Sequence, residues 1–123
     1  MKTRLIKRGD IFYANLNPAI GSEQADIRPI LVVQNEMGNK YSPTIVIVPI
    51  SCNLKKRSLP THVTIPHLSG LKSKSIALVE QIRTIDRSRF REYIGRIDSR
   101  VQSRVDTALA VCVGISKSIA RNT

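Results

Sequence analysis

The stretch GSEQADIRPILVVQN, residues 21–35, carries two different messages. Ile30 to Val33 is an unbroken aliphatic and β-branched run, the composition of a strand buried on both faces. Ahead of it lies a polar loop with two acids, Glu23 and Asp26, and with Gln24. Between loop and run, Arg28 stands directly before Pro29. A residue that precedes proline is confined to extended backbone, so this arginine has its direction fixed at a strand entrance.

Working outward, the same short-strand signal recurs. Asp10–Leu16 alternates loosely and stops at the turn residues NPAIGS. Arg28–Gln34 is the second strand, NEMGNKYSP (residues 35–43) reads as a loop, and Thr44–Ile50 is a third, almost wholly apolar strand. The basic loop SCNLKKRSLP follows, then strands Thr61–Ile65, Ser75–Ile82 and Arg91–Ile97, with a short helical turn near Arg87–Phe90. From Asp98 the period changes. Val101, Val105, Ala108, Leu109, Cys112 and Ile115 recur at spacings of three and four, an amphipathic helix for which Asp98 is the expected N-cap. Short strands closed by one helix predict a single, mainly β domain over residues 1–123, a small bent barrel or sandwich with a C-terminal helix packed on it.

The chain has 123 residues, with 20 Lys+Arg against 9 Asp+Glu and a formal net charge of +11. That excess predicts a polyanionic partner, nucleic acid or an acidic protein segment. No apolar stretch reaches signal-peptide or membrane-span length, and Cys52 and Cys112 form no C-x-x-C pair, so a cytoplasmic protein with reduced thiols is expected. His62 and His67 are the only histidines and belong to no metal-ligand cluster, and no phosphate-cradling glycine motif or serine-nucleophile elbow occurs. Neither a metal nor a cofactor is expected. Aromatic content of 4% is too low for a sheet that reads RNA by stacking.

What remains is arginine, hydroxyl and amide chemistry. A guanidinium grips phosphate at two points, and Ser51, at the end of the third strand, offers a hydroxyl to the same anion. The residue types leave a second role open for Arg28, an ion pair to Glu23 or Asp26. Lys55–Arg57 is either phosphate-steering or a solvated face.

The stretches KRGDIFYANLNPAIGSEQADIRPILVVQN, GNKYSPTIVIVPIS, LPTHVTI and ALVEQIRTID, in order over residues 7–116, resemble the MazF/PemK-type toxin endoribonucleases, most closely their Gram-positive branch. The resemblance implies an SH3-like, gyrase-toxin-type barrel acting as a homodimer without metal. It implies cleavage of single-stranded RNA by the RNA's own 2′-OH, leaving a 2′,3′-cyclic phosphate (or 3′-phosphate) and a 5′-OH, with ACA-containing sites favoured. Arg28 of the R-P motif is implied as catalytic, and Ser51 as its partner where the family commonly has threonine. RNA contacts are implied for Ser22 and Glu23 of the G-S-E-Q loop, Asn35, Gln81 and Arg8. Glu23 has two readings, base recognition or holding Arg28 in place. An acidic, MazE-like antitoxin tail is the implied second occupant of the basic groove. Two other functions compete: a non-catalytic nucleic-acid-binding barrel, and a gyrase poison, whose C-terminal tryptophan this tryptophan-free chain lacks.

Overall fold

The structure, a computed structural model, describes residues 5–53 and 59–115. Its strands are β1 (Asp10–Asn15), β2 (Ile27–Val32), β3 (Thr44–Ser51), β4 (His62–Ile65), β5 (Ser75–Leu78), β6 (Arg83–Asp86) and β7 (Phe90–Arg96). They form one antiparallel sheet in the order β4-β5-β3-β2-β1-β7, with β6 also paired to β3. Two α-helices complete the described residues, α1 (Glu36–Tyr41) and α2 (Ser99–Cys112).

The unbroken run in β2 is buried on both faces, as its composition predicts. Leu31 and Val33 join Ile11, Val48, Ile50 and Val63 in a core covered by Val101, Val105 and Ala108 of α2. Ile30 and Val32 point the other way, to Phe12, Leu16, Ile45, Ile47 and Ile85. That second face is covered because the sheet bends. β1 and β7 pair with two register shifts, the local kinks that re-aim a strand. Phe12 then meets the rings of Phe90 and Tyr93 edge-on, with centroids 5.1 and 5.4 Å apart. The mainly β domain with its C-terminal helix is as expected, but the strands do not close: the barrel is a strongly bent open sheet.

Two elements depart from the sequence reading. Residues 35–43 hold a helix, not a loop. Asn35 Oδ1 accepts the Gly38 N–H at 2.8 Å as an N-cap, and Asn39, only 2% exposed, donates to Gln34 O at 2.9 Å and Glu36 Oε1 at 3.0 Å. The asparagines that signal a turn in sequence serve here as a cap and a buried tie. The expected strand Ser75–Ile82 ends at Leu78, a 3₁₀ turn follows at Val79–Gln81, and β6, a strand the sequence reading does not assign, begins at Arg83. β5 meets the end of β3 (Ile50↔Ala77) and β6 meets its start (Ile47↔Arg83), so the turn's three residues are lifted out of the ladder. Val79 goes into the core and Gln81 is thrust toward the loop before β2. The Arg87–Phe90 turn is present at Arg87–Arg89, and Asp98 caps α2 by accepting the Val101 N–H at 2.9 Å. Ile115, assigned to the helix face, lies past the helix end and is exposed.

Candidate active site

The loop between β1 and β2 is built by its own polar side chains. Asn17 Nδ2 donates to Asp26 Oδ1 at 3.3 Å, and the Asp26 N–H donates to Asn17 Oδ1 at 3.0 Å. The Ile20 N–H donates to Glu23 Oε1 at 2.8 Å. Gly21 and Asp26 take positive φ of 59° and 66°, which glycine and aspartate tolerate best. Across from this loop, Gln81 Oε1 accepts the Gln24 N–H at 3.0 Å, and Gln81 Nε2 donates to Ser22 O at 3.4 Å. Gln81, in the turn between β5 and β6, thus clasps the S-E-Q segment with both ends of its amide.

The clasp encloses a cleft of about 330 Å³ lined by Glu23, Gln24, Pro49, Glu80, Gln81, Ile82 and Arg83. Its size falls in the range of small-ligand pockets, about 300–1,000 Å³. Glu80 is itself braced, its oxygens meeting Thr61 Oγ1 at 2.9 Å and His62 Nε2 at 3.0 Å. The Leu59 N–H donates to His62 Nδ1 at 3.3 Å, so the proton of a neutral His62 sits on Nε2, facing the carboxylate.

Arg28 and Ser51 do not line this cleft but stand next to it. β2 and β3 pair with Ile30 opposite Pro49 and Leu31 opposite Val48; the ladder between them ends there, with Arg28 and Ser51 each two residues beyond it on its own strand. Alternation puts both on the face that carries Ile30, Val32, Ile45 and Ile47, with Ser51 two residues, about 7 Å, beyond Pro49. Arg28 is half-buried, and its Nε donates to Ala25 O at 2.7 Å. Among the described residues it forms no ion pair. Neither Glu23 nor Asp26 neutralises it, since each carboxylate is engaged within its own loop. Ser51 is only 2% exposed, and its Oγ accepts the Asn53 N–H at 3.1 Å, an arrangement that leaves the hydroxyl proton to donate.

Ser22, Glu23 and Gln81 are therefore brought together in one cluster. Arg8 and Asn35 are not; they form a separate group near the N-terminus of α1. Arg8 Nε donates to Val33 O at 2.9 Å, its Nη2 pairs with Asp106 at 2.8 Å, and its backbone N–H meets Glu36 Oε1 at 3.0 Å. Asn35 spends its side chain on the helix cap. The basic triplet Lys55–Arg57 and the apolar Leu54 lie outside the described residues. Gln24, only 8% exposed, was not singled out by the sequence, because nothing there shows that Gln81 closes over it.

The model of the PemK-like, MazF-like toxin of type II toxin–antitoxin systems matches residues 7–113. The chain belongs to this family. It is 42% identical over 112 residues to endoribonuclease EndoA of Bacillus subtilis (strain 168), a match that covers 90% of this chain and 97% of that protein. MazF of Deinococcus radiodurans superposes with a TM-score of 0.79 at 26% identity, covering 91% of this chain and 99% of that one. A MazE–MazF structure from the same organism matches with a TM-score of 0.74 at 26% identity, over 93% and 100% of the two chains. The bent open sheet with its terminal helix is the architecture of these toxins.

Proposed function

We propose that this toxin is an endoribonuclease that cuts single-stranded RNA without a metal, with Arg28 stabilising the transition state and Ser51 assisting. The observation that carries the reading is Arg28: a half-buried guanidinium at a strand entrance, anchored through Nε and unpaired with any described carboxylate. A cation kept ready in that way suits an anion that arrives from outside. The naming of a 42% identical relative as an endoribonuclease supports the same chemistry.

In the reaction the 2′-oxygen of one nucleotide attacks the adjacent phosphorus while the P–O5′ bond breaks. The 2′-OH proton is lost, the departing 5′-oxygen gains one, and a 2′,3′-cyclic phosphate and a 5′-OH remain. Negative charge grows on the non-bridging oxygens, and the two outer nitrogens of Arg28 are the donors that answer it. The Ser51 hydroxyl adds a second donor on the same face. Glu23 and Gln81 line the neighbouring cleft, to which Ser22 is tied through Gln81, and a neighbouring nucleotide is held there.

The protein acts as a homodimer and is neutralised by an acidic, MazE-like antitoxin tail. Ile20, 80% exposed at the cleft-side loop, and the exposed Val113 and Ile115 beside Arg8 are apolar surface suited to such partners. Purified protein incubated with a long unstructured RNA in EDTA tests the proposal. Cleavage at a short fixed motif with 5′-OH ends is expected, and binding without cleavage would return the chain to the non-catalytic alternative.

A further inference from the structure

A second arginine lines the cleft without an acid to pair with. Arg83, at the start of β6, stands opposite Ile47 of β3, which in turn stands opposite Val32 of β2. Its side chain therefore leaves the sheet on the face that carries Ile30, Val32, Ile45 and Ile47. It is half-buried and forms part of the wall of the 330 Å³ cleft. Its one side-chain hydrogen bond among the described residues runs from Nη1 to Leu16 O at 3.4 Å, a long bond that leaves Nε and Nη2 for other acceptors. Two acids share the cleft, and neither forms an ion pair with it. Glu80 spends one oxygen on Thr61 Oγ1 at 2.9 Å and the other on His62 Nε2 at 3.0 Å, and Glu23 Oε1 holds the Ile20 N–H at 2.8 Å. The neck of the β1–β2 loop links this arginine to Arg28. There the Leu16 N–H donates to Asp26 O at 3.0 Å, with Arg83 bound to Leu16 O and Arg28 bound to Ala25 O at 2.7 Å. Two guanidinium groups from different strands thus meet one loop neck, and no described carboxylate pairs with either.

We propose that Arg83 is a second phosphate-binding residue, gripping the phosphate of the nucleotide held in the cleft, beside the phosphate that Arg28 meets at the cut. The inference rests on the proposed reading of the cleft as a nucleotide site. A nucleic-acid strand carries one negative charge per nucleotide, so a cleft that takes the nucleotide beside the cut also receives a phosphate. A guanidinium with open nitrogens offers that phosphate a two-point grip. The carboxylates of Glu23 and Glu80 repel an anion, which confines the phosphate to the Arg83 wall. Like charges tied to one loop neck also repel each other, and a strand that supplies two successive phosphates gives both of them a countercharge. A grip on a phosphate that does not react is the same before and during the reaction, so it acts on KM and not on kcat.

The test measures binding of a short single-stranded RNA that spans a mapped cut site and carries a 2′-deoxy sugar at the cut, so that it binds without being cleaved. A methylphosphonate, which removes the charge of a phosphate, replaces one flanking linkage at a time. Each RNA is titrated against the parent and Arg83→Gln, with a melting curve for both proteins. The parent should lose about tenfold or more in affinity at one flanking linkage. Arg83→Gln should bind the unmodified RNA about as weakly as the parent binds that modified one, and should lose nothing further there. Its salt slope should be shallower by about 0.7. On cleavable RNA its loss should appear in KM more than in kcat. Equal penalties in the parent and folded Arg83→Gln at every linkage overturn the inference and leave the nuclease reading intact, as does a loss confined to kcat. If Arg83→Gln does not fold, Arg83→Lys decides: it keeps the charge without the fork, and an undiminished penalty at that linkage refutes the idea. A parent that neither binds nor cuts RNA removes the nuclease reading first and this inference with it.

Discussion

Replacing Arg28 by alanine separates the catalytic role from the structural one, because the two make opposite predictions. The structure gives the side chain one hydrogen bond, from Nε to Ala25 O at 2.7 Å, and no ion pair with a described carboxylate. Losing one such bond costs about 0.5–1.5 kcal/mol. At about 3–5 °C per kcal/mol for a domain of this size, the melting temperature should fall by only about 2–7 °C. Cleavage should fall far more. Removing one donor from a preorganised anion site costs about a hundredfold in rate, or about 2.7 kcal/mol, and Arg28 supplies two donors and the charge. Arg28→Lys keeps the charge but has neither the Nε bond to Ala25 nor the two-point fork, so it should be nearly as slow as alanine. Melting curves and cleavage rates are measured on one preparation of each variant. An alanine protein that melts 10 °C or more below the parent yet still cleaves would refute the reasoning. That pattern belongs to a broken ion pair, worth about 3–5 kcal/mol when buried.

Ser51→Ala should retain its fold and lose about a hundredfold in cleavage rate, whereas Ser51→Thr, which keeps the hydroxyl on a residue at home in a strand, should stay active; equal rates for alanine and parent would dismiss the hydroxyl. Gly95→Ala should be strongly destabilised, by about 3 kcal/mol or more in urea unfolding, because the added Cβ would lie 2.0 Å from Ser69 O and 2.9 Å from its carbonyl carbon. Glu36 is held below its ordinary carboxylate value of 4.5, first by the Asn39 side chain and then by the Arg8 N–H and the charges of Arg96 and Lys7. A depressed folded-state value means stability that is complete above pH 4.5 and is lost as pH falls through the lower folded value, so the parent's melting temperature should drop more steeply in that acid window than that of Glu36→Gln. Parallel pH profiles for the two proteins would count against this.

The parts of the fold that sequence displays are those decided by local pattern. The apolar run of β2 and the three-four spacing of α2 depend on nothing distant, and both stand where expected. The break between β5 and β6 is different. Ser75–Ile82 reads as one strand, yet it stops at Leu78 and β6 starts at Arg83 because the two pair with opposite ends of β3, a long-range condition no window contains. The helix at residues 36–41 was hidden by asparagines whose partners, Gly38, Gln34 and Glu36, turn loop signals into a cap and a tie. The site divides along the same line. Arg28 and Ser51 are proposed from motif and position, but the contact of Gln24 with Gln81 joins residues 57 apart.

The net charge of +11 requires the same sorting, arginine by arginine. Arg87 donates to Ser42 O and Asn39 O, Arg89 to Asn15 O and Asn17 O, and Arg91 to Ser88 O and Phe90 O. These clamp backbone carbonyls of strand ends, turns and α1, which is a structural use of a donor-rich side chain. Arg96 pairs with the nearly buried Asp10 at 2.8 Å, and Arg8 with Asp106 at 2.8 Å. Much of the basic excess is thus committed to the chain's own carbonyls and acids. Overall charge is therefore a poor guide to where a polyanion sits. Arg28 differs because its backbone is confined by Pro29, its Nε is anchored, and neither acid of its own loop is paired with it. Under the proposed function, an arginine aimed by the fold and unpaired with any described carboxylate precedes the proline because the RNA phosphate is its anion.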